Sequence, residues 1–255
     1  MENYNQQKEF TNYTVIDSHQ TTATGAVSKK FIANVFGWMF IALGISTVLA
    51  LVFSNNQALA SDLYIQTEKG LRPTGLGMIV GFVPLGFVLV MSFAFSRLSA
   101  PLLTAFFLLF AAAMGISLSF WLLVYTETSV IGCFATASAM FGIMAVMGYT
   151  TDKDLTKFGS ILQMGLIGIV IAMMINFFLH SSGLSYLISL VGVVVFTGLT
   201  AYDVQKLKRI GAGIEFEGTS ANDTKKLALM GALNLYLDFI NLFIMLLRLF
   251  GNRRN

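Results

Sequence analysis

Between Phe158 and Tyr202 the chain runs for 45 residues without one acidic or strongly basic side chain. Four other stretches are equally free of charge: Phe31 to Phe53, Thr74 to Ser96, Leu98 to Thr126 and Thr128 to Thr151. A sixth, Leu227 to Leu247, is interrupted by a single acid, Asp238. A helix rises about 1.5 Å per residue, so about 20 residues cross the ~30 Å hydrocarbon core of a bilayer. The 45-residue stretch is too long for one span and breaks at His180-Ser181-Ser182-Gly183, which divides it in two. The count is therefore seven spans. Backbone polar groups in lipid must be satisfied internally, which leaves helices or a closed barrel. Barrel strands alternate in polarity over about ten residues. These runs are apolar on all faces and twice that length, so the expected fold is all-α: a polytopic membrane protein of seven transmembrane helices. Ser99 and Pro101 mark the start of the third.

Composition agrees. Charged residues make up 11% of the 255, where a soluble domain carries about 25%. A soluble enzyme, a nucleic-acid binder and a disordered scaffold are all poor fits. The net charge of +3 is too mild to suggest nucleic acid. Cys133 is the lone cysteine, so there is no intrachain disulfide and no multi-cysteine zinc site. His19 and His180 lie far apart and offer no metal-ligand spacing. Residues 1–30 read as a polar cytoplasmic tail without a signal-peptide pattern, 31–250 as the transmembrane domain, and 251–255 as a short basic C-terminus.

Basic residues set the expected orientation. With the N-terminus cytoplasmic, 11 of the 16 fall inside: Lys8, Lys29, Lys30, Arg97, Lys153, Lys157, Lys206, Lys208, Arg209, Lys225 and Lys226. Lys69, Arg72, Arg248, Arg253 and Arg254 fall outside. The C-terminal arginines run against the rule. Either they are tolerated, or one run is re-entrant and the number of crossings is even.

Two carboxylates stand out, because an ionised Asp at a helix centre costs about 2.5–3.5 kcal/mol on insertion scales and commonly marks an ion path or proton relay. Asp238 shares a helix face with Asn234 at i−4 and Asn241 at i+3. Such a stripe argues that the seventh helix is central in the bundle; the plainer alternative is hydrogen-bonding glue between helices. Asp203 lies near the inner end of the sixth helix, with Thr200 at i−3 and Lys206, Lys208 and Arg209 following. The alternative there is an interfacial Asp paired with a snorkelling Lys. If both acids face one cavity, they titrate as a unit and hold one shared proton near neutral pH. Loss of that proton leaves negative charge for a hard cation such as Ca²⁺. Depth constrains the idea. The two meet only if the sixth helix runs past Arg209, or if Lys225 and Lys226 lie beyond the membrane edge. Arg97, at the inner end of the second helix, is the candidate counter-charge, either latching Asp203 or serving as a positive-inside anchor.

At these residues the chain resembles the transmembrane Bax inhibitor motif family, also called the Bax inhibitor-1 family. The resemblance rests on Gly198-Leu199-Thr200-Ala201-Tyr202-Asp203-Val204-Gln205-Lys206-Leu207-Lys208 and Leu235-Tyr236-Leu237-Asp238-Phe239-Ile240-Asn241-Leu242-Phe243. Leu246-Leu247-Arg248-Leu249-Phe250-Gly251 is similar to the ending of bacterial inner-membrane members. Thr104 to Leu118, with Gly115, and Gly148-Tyr149-Thr150-Thr151 also fit. The resemblance implies seven helices with a central seventh, a di-aspartyl pH sensor carried by Asp203 and Asp238, a Ca²⁺ leak, and a gating Arg on helix two, for which Arg97 is the candidate. Protons and Ca²⁺ are then the expected partners besides lipid, with no tightly bound cofactor and Asp203 and Asp238 as Ca²⁺ contacts.

Rival readings are a proton-coupled cation exchanger and a non-transporting partner that modulates membrane proteases or death and stress signalling. An intramembrane aspartyl protease matches only in Tyr202-Asp203. Its second motif, Gly-x-Gly-Asp, is replaced by Leu235-Tyr236-Leu237-Asp238, and its Pro-Ala-Leu motif does not follow. The expectation is that the chain is not an enzyme.

Overall fold

The computed structural model describes residues 18–68 and 70–254. Seven of its helices are long and apolar enough to cross a membrane. They are α1 (Ser18–Asn55), α3 (Gly75–Phe93), α4 (Ala100–Val124), α5 (Glu127–Thr150), α6 (Thr156–Leu179), α7 (Ser182–Glu217) and α8 (Ala221–Phe250). Between α1 and α3 lie a short helix, α2 (Gln57–Leu63), and a hairpin of β1 (Tyr64–Thr67) and β2 (Gly70–Pro73). The chain is a polytopic all-α membrane protein with an odd number of long apolar helices.

The sequence explains most boundaries. Ser99 caps α4 in an extended conformation, and Pro101 falls in the first turn, where no hydrogen bond is lost. The predicted break near His180 is a left-handed residue (φ 51°) closing α6. The Ser181 hydroxyl then accepts from the Leu184 N–H and opens α7. Ser220 does the same for α8, accepting from the Asp223 N–H. The helix α1 begins within the segment expected to be a polar tail, at Ser18; residues 1–17 of that tail lie outside the described residues.

The hairpin was not foreseen. β1 and β2 pair antiparallel from Tyr64↔Pro73 to Thr67↔Gly70, and Gly70 adopts a positive φ of 101° that other residues resist. Thr74 ties the unit down: its hydroxyl donates to the carbonyls of Asp62 and Leu63 and accepts from the Gly77 N–H. The Tyr64 hydroxyl reaches α4, 3.2 Å from the Ser119 hydroxyl.

Packing is uneven. The seventh spanning helix, α8, is central and lies against α1, α4, α5 and α7. Across its most apolar stretch 72% of residues are buried, against 6% in α6, which leans chiefly on α7. Polar glue and close approach hold the centre together. The buried Ser46 hydroxyl of α1 donates to the Ala111 carbonyl of α4 at 2.7 Å and lies 2.7 Å from the Tyr236 hydroxyl of α8. With the Ser46 proton so placed, Tyr236 is the donor of the second bond. A β-carbon at Gly148 would collide with the Ala201 backbone, so only glycine lets α5 approach α7 this closely, two residues from Asp203.

The basic residues fall into two groups. One end of the bundle holds the start of α1 and the α3–α4, α5–α6 and α7–α8 connections. Ten basic residues lie on those segments or on the helix ends that flank them: Lys29, Lys30, Arg97, Lys153, Lys157, Lys206, Lys208, Arg209, Lys225 and Lys226. The opposite end holds the hairpin, the α4–α5 and α6–α7 connections and the C-terminal tail with its arginines.

Candidate functional site

Asp203 and Asp238 come together. Asp203 projects from α7 and Asp238 from α8, and their carboxyl groups meet within hydrogen-bonding reach. The meeting follows from helix lengths. α7 does run past Arg209, to Glu217, and α8 begins at Ala221, so the Ile210–Thr224 segment is a helical turn-back extending both helices. Counted from that turn, Asp203 stands 14 residues up one arm and Asp238 17 up the other. At 1.5 Å per residue these are ~21 and ~26 Å, about one helical turn apart. The condition on depth is met by the first of its two routes.

Asp238 is buried, with 6% of its surface exposed, and Asp203 is half-buried. Two carboxyl groups can share a hydrogen bond only if one carries a proton, since an ionised carboxylate is an acceptor alone. One Asp238 oxygen, Oδ2, is buried and receives no hydrogen bond from an N–H or O–H donor among the described residues. An unsatisfied carboxylate oxygen inside a bundle is costly. The charged group acting on Asp203 besides its partner acid is Lys206, one turn along the same helix. Thr200, buried on the Asp203 face, spends its hydroxyl on the Phe196 carbonyl at 2.9 Å. Among the described residues no third His, Cys, Asp or Glu gathers with the pair.

The remaining sequence candidates are placed differently. Arg97 lies exposed in the turn after α3, and no ion pair joins it to Asp203 among the described residues. It is Lys226 that occupies the space beside that turn, buried with its ammonium 4.7 Å from the Phe95 ring. The polar stripe of α8 is split: Asp238 is buried, Asn241 half-buried and Asn234 exposed.

A clasp at the basic end escaped the sequence reading. The Gln205 amide donates to the Lys153 carbonyl at 2.7 Å and accepts from the Leu155 N–H at 2.9 Å. Arg209 donates to Asp154 at 3.1 Å, to the Thr156 hydroxyl at 2.8 Å and to Gln205 at 3.1 Å. Lys208 donates to the Tyr149 carbonyl at 2.8 Å. The α5–α6 turn is thus stitched to α7 just beyond Asp203. Hydrogen bonds from Thr156, with Arg209 adding its charge, hold the Asp154 carboxyl below its ordinary range. The signal was the polar run Asp152-Lys153-Asp154, whose partners 50 residues away no local pattern could reveal.

Residues 28–255 match the family model described as "Inhibitor of apoptosis-promoting Bax1". The chain belongs to the Bax inhibitor-1 family. It is 43% identical over 226 residues to the inner membrane protein YbhL of Escherichia coli (strain K12), covering 89% of this chain and 93% of that one. A protein of Borreliella burgdorferi is 42% identical over 241 residues, covering 94% and 100%. Protein RP147 of Rickettsia prowazekii is 38% identical over 250 residues, covering 94% and 100%. The seven apolar helices expected of the family are those of this bundle, so the resemblance seen around the two aspartates extends through the whole fold.

Proposed function

We propose that this Bax inhibitor-1 family member is a pH-sensitive Ca²⁺ leak of the inner membrane, gated by the Asp203–Asp238 pair. The observation that carries the reading is the pair itself: two carboxyl groups from different helices meet inside the bundle, one with a buried oxygen that no N–H or O–H donor among the described residues reaches. Protonated once, the pair ties α7 to α8 and presents little charge to a cation. Deprotonated, two like charges repel, and either the helices part or a cation enters between them. Ca²⁺ favours six to eight oxygen ligands. Two carboxyl groups alone make a poor resident site and a suitable transient one, so the ion is cargo and the chain has no tightly bound cofactor and no enzymatic step. In this reading Lys206, on the same helix, takes the counter-charge role first given to Arg97. The ten basic residues of one end favour that end, and with it the N-terminus, as cytoplasmic.

Ca²⁺ entry into proteoliposomes, followed from mildly acidic to mildly basic pH, tests this. The native chain is expected to pass Ca²⁺ with a pH dependence that Asp203→Asn and Asp238→Asn each flatten. A folded native chain that passes no Ca²⁺ at any pH contradicts the leak and leaves the non-transporting partner reading. Stoichiometric proton counter-flow would instead make the same carboxylates those of an exchanger.

A further inference from the structure

The end of the bundle away from the carboxyl pair holds a cavity of about 1140 Å³. It is walled by the hairpin, the end of α4, the α6–α7 connection, and the last turn of α8 with the tail that follows. Three arginines line it, Arg248, Arg253 and Arg254, and no Asp or Glu does so among the described residues. The ion pair found among those residues, Arg209–Asp154, is at the other end of the molecule.

These arginines are held in place. The Asn252 carbonyl accepts from the Thr126 N–H at 2.9 Å, the Arg254 N–H donates to the Val124 carbonyl at 2.8 Å, and the Asn252 N–H donates to the Ser129 hydroxyl at 3.0 Å. The tail is thereby fastened beside the α4–α5 turn. The Arg248 guanidinium sits over the Trp121 ring, its Cζ 4.9 Å from the centroid, a cation–π contact that helps to hold it there. Arg253 is close enough to Arg248 for the two charges to repel. Across the cavity Asn176, His180, Ser182 and Ser185 add polar groups. A helix C-terminus offers about half a negative charge, which accounts for a fraction of one arginine and not for three. Their retention against the positive-inside bias then has a cause other than topology.

We propose that this cavity is a binding site for a phosphate-bearing anion, held by Arg248, Arg253 and Arg254. A guanidinium fork matches a phosphate bidentately, and three forks match the several charges of a phosphorylated compound better than a lone carboxylate. That anion is either a soluble phosphorylated compound or the headgroup of an anionic phospholipid. The site stands apart from the proposed Ca²⁺ path and does not depend on it.

The test uses the full chain in a neutral detergent and follows its melting temperature against inorganic phosphate, pyrophosphate, phosphatidylglycerol and, as the zwitterionic reference without net charge, phosphatidylcholine. The result expected is a saturable rise with at least one phosphate-bearing anion and none with phosphatidylcholine. A rise with phosphate or pyrophosphate identifies a soluble ligand; a rise with phosphatidylglycerol alone identifies a lipid headgroup. Arg253→Gln/Arg254→Gln leaves the backbone pairings of the tail intact and is expected to weaken apparent affinity at least 10-fold, as is Arg248→Gln. Lys29→Gln/Lys30→Gln, two exposed lysines at the opposite end, is expected to leave the anion-induced shift unchanged. No shift with any of the anions overturns the proposal, and so does a shift that all the arginine variants keep or that the lysine variant loses equally.

Discussion

Two helices of similar apparent character, α6 and α8, have opposite surroundings. Both would pass as membrane spans, yet α6 has 6% of its most apolar stretch buried and α8 72%. The helix with Asn234, Asp238 and Asn241 in its apolar stretch is the one in the middle. In a bilayer the lipid accepts any apolar side chain, so Ile161, Met164, Ile171 and Phe178 of α6 stay on the outside at no cost. An acid has no such outlet, and α8 hides Asp238 among other helices while Asn234 stays exposed. The ordering of a soluble protein is therefore inverted: departures from apolarity mark the centre.

Deep substitutions should separate the two helices most. Leu242 of α8 is fully buried and Ile175 of α6 half exposed. Leu242→Ala is expected to cost about 2–5 kcal/mol, the range for a cavity in a packed core. Ile175→Ala should lie near zero, because lipid fills the space. Reversible unfolding in mixed micelles checks both, and equal losses would break the comparison.

Backbone approach comes next. Gly148→Ala puts a methyl group against the Ala201 backbone and is expected to cost about 1–3 kcal/mol. Gly142→Ala on the same helix meets nothing within 4 Å and should stay within about 1 kcal/mol of neutral. Matching effects in thermal melts would show that α5 does not need its close contact with α7. A smaller loss, about 0.6 kcal/mol as for typical hydrogen bonds between membrane helices, is expected for Tyr236→Phe, which removes the donor to Ser46.

The weakest effect belongs to the clasp that fixes the start of α6 to α7. Asp154 is exposed, and its carboxyl is held below the ordinary range. Its stabilisation is therefore fully present above the ordinary carboxylate range and is lost as pH falls through the lowered folded value. Asp154→Asn should lower the melting temperature slightly at neutral pH, with the gap to the native chain closing in acid. A gap that widens in acid would contradict the sign.

Much of this was legible in the chain. Uncharged runs gave the seven spans, and Ser99-Pro101 and His180-Gly183 marked real boundaries, because caps and breaks are local chemistry. Asp203 and Asp238 stood out because charge is so scarce around them. Their meeting hung on whether α7 continued past Arg209, which no periodicity decides when the helix leaves the membrane. The hairpin at Tyr64–Pro73 was missed because four-residue strands leave little pattern. Arg97 was chosen by position on its helix, and the rotation that leaves it exposed is a matter of packing. The arginines at 248, 253 and 254 looked like a violation of topology until the cavity around them was seen.

The central claim is that Asp203 and Asp238 act as one unit. The direct measurement is a double-mutant cycle on pH-dependent Ca²⁺ flux in proteoliposomes, with Asp203→Asn, Asp238→Asn and both together. A shared proton predicts that either single substitution removes the pH dependence and that the double variant adds nothing further. Independent carboxylates predict that each single variant keeps part of the dependence and that the losses sum in the double, a result that would contradict the account.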